Sequence, residues 1–525
     1  MRTLPFANVE KARVLSFVGT IEPRRQKKEI LSGGRPDDRN PKPFLLNLIV
    51  LICFCYLILP VMIFILGFVR IEASGVLIGL TALVCYRSIR SVIASNAFKI
   101  QIRSISAEWR LWRWHLLLMG VLTLAWLLFS SIGGIGYRNF DSGIRSSLLW
   151  HLITSSWPLY FPAGYFGDAF GVVSDKAYVY YFAYYLPAAI AGKLLGWKVA
   201  NLVLFAYSWL GVWLALVLVR MYVRQRARMV TLLVITGICL FGGMDYVFNR
   251  LLAFTADRSE MWLNPFYYFS HTRNLFWAPQ HCLPSWLMTG VVLNRRQVSP
   301  SLMRIFPLVT VSLILWSPLC LIGIVPFIFP LIKHYWRGWL RLNPESILTC
   351  LVFILLISFI ISNDFSFKIL FVPYAMADFW RSYSLFILTE FVILSTVLFL
   401  NPYKIGGFNI LITALSMLFL IPFFMLGTWN DWSIKLSMPS LFVVSVLLIK
   451  QFIHLIESKS KLAWISVLLF GACAFTPLEE LIYSAEHYCV SFETPPEIRE
   501  FGPNYIVWQQ LGDPGSFFFR TIARR

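Results

Sequence analysis

The chain has 525 residues, 58% of them apolar and 17% aromatic, while only 14% carry charge. A globular core of that length does not bury so much apolar surface, which excludes an ordinary soluble domain and leaves a polytopic membrane protein. The formal net charge of +20 does not point to nucleic acid, because the basic residues lie between apolar stretches rather than on a polar domain; that distribution reads as membrane topology, with anionic lipid headgroups as the partner.

Residues 1–43 hold Arg24, Arg25, Lys27, Lys28, Arg35, Arg39 and Lys42 among little apolar content, so a basic cytoplasmic tail is expected, without a cleavable signal peptide. A full crossing needs about 20 apolar residues. Spans are expected near 44–69, 74–90, 114–133, 199–219, 229–244, 282–294, 302–317, 319–332, 347–362, 383–400, 407–426, 437–450 and 462–476, about 13 within a range of 11–14. Residues 44–113 comprise two N-terminal spans and a basic inner loop, and 114–476 form the transmembrane core. With the amino terminus inside, about 30 of the 46 Lys and Arg fall on the inner side, and acidic residues favour the other. A multi-pass protein of the cell (inner) membrane is expected, its amino terminus cytoplasmic and its carboxyl terminus outside.

The outer face then receives three loops, 134–198, 245–281 and 363–382, and a small C-terminal cap, 477–525. In the first loop the run holding Tyr178, Tyr180, Tyr181, Tyr184 and Tyr185 is expected to be a helix lying in the membrane interface. The expected fold class is all-α and polytopic, with outer-face loops, this interfacial helix and the cap. The nine cysteines lie mostly in apolar spans and show no CxxC or other metal spacing. No Walker, GxSxG, HExxH or Rossmann pattern occurs.

Chemistry concentrates in the outer loops. Asp141, preceded by Asn139 and followed by Ser142-Gly143, stands just beyond a span, where a carboxylate can take the proton of an acceptor hydroxyl. It also precedes the helical-looking run Ile144 to Thr154, so an N-cap is an equal reading. Arg145 lies one turn further on. In the second loop, His271-Thr-Arg273 and Trp277-Ala-Pro-Gln-His281 bring together an arginine able to grip phosphate and a tryptophan able to stack on a sugar face; interfacial anchoring is the alternative. His271 and His281 with Asp245 form a candidate divalent-cation set, but their spacing fits no metal template, and no metal ligand or cofactor is assigned. Asp431 and Lys435 add a second acid and a cation able to hold a donor phosphate, although a plain turn also explains Asn430-Asp431. Glu390, inside a span, must face a cavity or a partner.

The Asn139-Phe-Asp141 segment ending in Trp157-Pro158, the Tyr-Tyr-Leu-Pro-Ala-Ala run at 184–189, Trp277-Ala-Pro-Gln-His281 and Asn430-Asp431 give residues 114–450 a pattern that resembles the GT-C superfamily of integral-membrane glycosyltransferases, in particular bacterial envelope members. In the usual pattern the acid-bearing outer loop follows the first span; here it follows the third. The resemblance implies transfer of a sugar from a polyprenyl-phosphate-linked donor to an envelope glycan, lipid or protein acceptor on the outer face, with Asp141 as base or acceptor-orienting residue. A polymerase or ligase of polyprenyl-pyrophosphate-linked oligosaccharides, leaning on Arg273 and the histidines, is the nearest alternative. A lipid-linked glycan transporter or flippase is a third, and a non-catalytic scaffold of envelope assembly a fourth.

Overall fold

The computed structural model describes residues 44–524 except 94–95, 168–173, 225–226, 253–258, 365–367, 401–407 and 502–504. The expected basic tail, 1–43, lies outside the described residues.

A backbone crossing lipid must satisfy its own N–H and C=O groups, and a helix is the local way to do so. Each expected span overlaps a helix, although 114–133 outruns a helix that stops at Leu127 and 407–426 ends in a strand, Phe424–Leu426. In chain order these are α1 (Phe44–Phe68), α2 (Ile71–Ile93), α3 (Asn96–Leu127), α4 (Phe140–Thr154), α5 (Leu186–Leu195), α6 (Trp197–Val223), α7 (Arg228–Cys239), α8 (Asp245–Leu251), α9 (His271–Trp277), α10 (Pro279–Asn294), α11 (Phe306–Trp316), α12 (Pro318–Trp339), α13 (Pro344–Ile360), α14 (Phe379–Phe399), α15 (Phe408–Leu420), α16 (Asp431–Glu457) and α17 (Leu462–Glu486). Of these, α4, α5, α8 and α9 are additional, inside the loops. By length and composition, seven of the described helices can cross a membrane: α1, α2 (as Ile71–Arg90), α6, α12, α14, α16 and α17. The helices α7, α11, α13 and α15 are apolar but shorter, so length and composition support seven of the expected 13 crossings and the rest stay expectations.

The bundle has two distinguishable ends. At one, Arg87 pairs with Glu345 at 3.2 Å, Glu108 accepts from the Leu45 N–H, and Asn47 accepts from the Ser299 N–H. At the other, the loops fold together. Strand β1 (Tyr160–Phe161) pairs antiparallel with β2 (Lys176–Tyr178), which pairs with β5 (Leu511–Gly512) near the carboxyl terminus. Lys176 reaches Asp364 at 2.8 Å, and Asn363 bridges to Gly512. A second ribbon joins β3 (Ile369–Phe371) to β4 (Phe424–Leu426). The last residues return to the first span: Arg70 donates to the carbonyls of Arg520 and Ala523, and Phe518 packs against Phe64 of α1 and Phe359 of α13. This loop end carries every site residue expected from the sequence apart from His271, which lies deeper.

Two expectations need correction. The aromatic run at 176–197 is no interfacial helix. It divides into β2, a short turn and the ten-residue α5, and Tyr178, Tyr184 and Tyr185 are almost fully buried. Their hydroxyls find partners inside: Tyr178 donates to Gln510, and Tyr184 shares a hydrogen bond with Ser208. An aromatic run with polar tips suits a core as well as a membrane surface, and here tertiary partners decide. Further, α17 continues to Glu486 rather than ending near 476, so the segment beyond the last span is shorter than the expected cap.

Candidate functional site

The first turn of α4 positions Asp141. Asn139, not Asp141, is the N-cap: its Oδ1 accepts from the Ser142 N–H at 2.8 Å, while its amide donates to the Phe276 carbonyl. That arrangement overturns the N-cap reading of Asp141. Among the described residues no hydrogen bond or ion pair engages the Asp141 carboxylate, and it faces a cavity. Burial pushes its pKa above the ordinary carboxylate value, Arg145 opposes that shift, and the Asp431 charge adds to it. The outcome is a carboxylate closer to the working range of a base.

The cavity has a volume of about 660 Å³, within the size range of small-molecule sites. Its charged lining is Asp141, Arg145, Arg273, Asp431 and Lys435; His281 and Trp277 also face it. These seven come from α4, α9, α10 and α16, so residues from distant parts of the sequence meet in one hollow.

The three cations differ in what they have left to offer. Arg145 is largely engaged by its surroundings: Nε donates to the Asp141 carbonyl, Nη1 to the Trp277 carbonyl at 2.9 Å, and Nη2 to Asn139 Oδ1 and the Phe276 carbonyl. It pins α4 to α9, which is a structural duty more than a phosphate grip. Lys435 pairs with Asp431 one helical turn away at 2.8 Å and donates to the Tyr181 hydroxyl. The turn reading of Asn430-Asp431 is therefore divided between the two residues. Asn430, at φ 49°, caps α16, leaving Asp431 to Lys435. Arg273 lies between the rings of Phe269 and Trp277, 4.4 and 5.2 Å from their centroids, with Glu260 behind it at 3.5 Å. Its Nε makes no hydrogen bond.

His271 does not belong to the cavity. It is fully buried, hydrogen-bonded through Nε2 to Ser445 at 2.9 Å and packed among Phe241, Trp286 and Phe442. Burial lowers its pKa to about 3, so it is a neutral core residue. The candidate cation set is likewise held apart: His281 bonds Ser317 through Nδ1, and Asp245 accepts from Trp262 Nε1.

Sequence reasoning missed several lining residues. Gln280, Gln509 and Gln510 present amides, and the Gln280 Oε1 is buried without a partner. Tyr180, Tyr185, Phe269 and Trp429 add aromatic wall. Gln280 stood inside the quoted Trp277–His281 motif; for Gln509 and Gln510, brought in by the pairing of β5 with β2, nothing local gives a signal.

No family model, curated protein or solved structure matches this chain. Function is accordingly argued from the cavity: an unpaired carboxylate, one arginine with donors to spare, aromatic faces and amides, all beside apolar membrane-type helices.

Proposed function

We propose that the protein is a membrane glycosyltransferase of GT-C type, moving a sugar from a polyprenyl-phosphate-linked donor to an envelope glycan, lipid or protein acceptor. The single observation that supports this reading best is that Asp141 and Arg273 line the same cavity. Transfer of this kind breaks the bond between the anomeric carbon and a phosphate oxygen, and forms one from that carbon to an acceptor oxygen. The acceptor loses a proton and the phosphate leaves as an anion. Asp141, unpaired and with a raised pKa, is suited to take the proton. Arg273 is suited to stabilise charge on the departing phosphate, which needs a cation and no general acid. Trp277 and Tyr180 offer faces on which a sugar ring stacks, and Gln280 and Gln509 offer hydroxyl partners. Orientation follows from the basic loops: with these on the cytoplasmic side, the cavity opens at the outer surface, where a lipid-borne donor is within reach.

The decisive experiment is Asp141→Asn in purified protein reconstituted with polyprenyl-phosphate-sugar donors. Loss of roughly 10²–10⁴-fold in transfer is expected, with insertion and thermal stability unchanged. Full transfer by the variant removes Asp141 from the reaction; absence of transfer by the wild type with these donors removes the reading itself.

A further inference from the structure

Glu260 stands behind the cavity rather than in it. It is buried, absent from the lining, and its Oε1 accepts from the Ser270 N–H at 3.2 Å. Its Oε2 approaches Arg273 Nε at 3.5 Å without a hydrogen bond. Four charged or titratable groups act on it from the elements packed around it: Arg273 of α9, Asp245 of α8, Glu390 of α14 and Glu480 of α17. Three of the four are acids. Asp245 and Glu390 lie carboxyl to carboxyl beside Gly243.

The charges lining the cavity make Glu260 consequential. Lys435 is neutralised by Asp431, and most of the donors of Arg145 are engaged by oxygens of the fold. Arg145 keeps its charge, but Arg273 is the lining arginine whose Nε stays unbonded, and whether its charge reaches a ligand depends on the residue at its back. An ionised Glu260 compensates the guanidinium and repels an anion; a protonated one does neither.

We infer that Glu260, without touching the ligand, sets the affinity of the cavity for anions by switching Arg273 between a free and a compensated guanidinium. This regulates the phosphate-binding part of the site and rests on the reading given under Proposed function. Burial and the neighbouring acids raise the Glu260 pKa to about 8 against the pull of Arg273. The sign follows: below that value Glu260 is neutral and Arg273 is available; above it Glu260 ionises and anion affinity drops, with a limiting slope of roughly tenfold per pH unit.

The test is calorimetric titration of the full chain in lipid nanodiscs with farnesyl methyl phosphodiester, whose single charge does not change between roughly pH 6 and 10. Wild type should bind at pH 7 and weaken progressively above about pH 8. Glu260→Gln should bind as tightly at pH 7 and lose that alkaline decline. Asp141 also faces the ligand, but its titration is common to both proteins, so the difference isolates Glu260. Glu480→Gln provides a second arm should the first variant misfold. It keeps an acceptor for Trp277 Nε1 while removing one negative charge, so Glu260 ionises more readily and the decline should begin at lower pH. An alkaline decline unchanged in Glu260→Gln, or unmoved in Glu480→Gln, overturns the switch and leaves the transferase reading standing. Failure of wild type to bind at any pH overturns both.

Discussion

Asn139 leaves Asp141 unengaged, because a helix start needs a side-chain acceptor and Asn139 supplies it two residues earlier. The carboxylate is then pushed up by burial and by Asp431, and pulled down by Arg145, Lys435 and Arg273. Its balance predicts the acid limb of the pH–rate profile. As a base it works ionised, so transfer should rise with pH through a value above the ordinary carboxylate range. Asp431→Asn removes a like charge and releases Lys435, both of which favour the ionised form, and the acid limb should move to lower pH in a kcat/KM profile. An unmoved limb means another group titrates there. Arg145 invites a stability test instead. Lysine cannot reproduce its fork of donors, and Arg145→Lys is expected to cost about 1–3 kcal/mol from lost charge-assisted hydrogen bonds, read as a lower thermal midpoint in detergent. At this scale the sequence showed which groups were candidates, because charged residues beside apolar spans stand out. It did not show what each was bonded to: the engagement of Arg145 depends on carbonyls of Phe276 and Trp277, far along the chain, and His271 looked like a site residue until its burial became visible.

Glu390 shows how one element accommodates a buried acid. It sits where α14 widens into a single π turn over Leu388–Val392, a distortion common where a side chain has work to do. The Met244 N–H bonds the Thr389 carbonyl at 3.0 Å, which fastens the entrance of α8 to that turn. Gly243 is what allows this approach, since a Cβ there would run into the carboxyl groups of Glu390 and Asp245. Glu390→Gln should be tolerated, because an amide can still donate to Asp245. Gly243→Ala and Glu390→Leu should each lower stability by roughly 1–3 kcal/mol, through strain and an unsatisfied carboxyl respectively, measured as loss of folded protein on heating. A neutral Glu390→Leu would mean the two carboxyls are independent. The need for a partner at Glu390 was legible from its place in an apolar span, but not the partner, since contact between segments is unwritten in either. The tyrosines at 178–185 failed for the complementary reason: their spacing allows an interface belt or a core, and only β5 and α6 closing over them selects the core.

Across the whole molecule, the two ends differ in kind, one carrying short turns between helices and the other a folded layer of strands, loop helices and the cavity. Apolar length makes the helices legible, because hydrocarbon admits few alternatives, whereas the layer depends on β2 accepting a strand from the last residues, which no local pattern announces. The proposed orientation, with the Lys- and Arg-rich loops on the cytoplasmic side, can be tested directly. Arg341 lies in the turn between α12 and α13, at the end where Arg87 meets Glu345, while the exposed Tyr374 lies at the cavity end. Single cysteines placed at these two positions, in a chain whose exposed Cys55, Cys85, Cys350 and Cys489 are changed to serine, should respond oppositely to a membrane-impermeant maleimide. Tyr374→Cys should label in intact cells, and Arg341→Cys only after the membrane is opened. The reverse pattern would turn the cavity toward the cytoplasm and away from an outer-face acceptor. Labelling of both in intact cells would mean that an even number of crossings separates them, which contradicts α13 as a full crossing. Since α13 is among the shorter apolar helices, the same pair of cysteines also decides whether its 17 residues span the bilayer, which a helix of about 25 Å can do only where the hydrocarbon is locally thin.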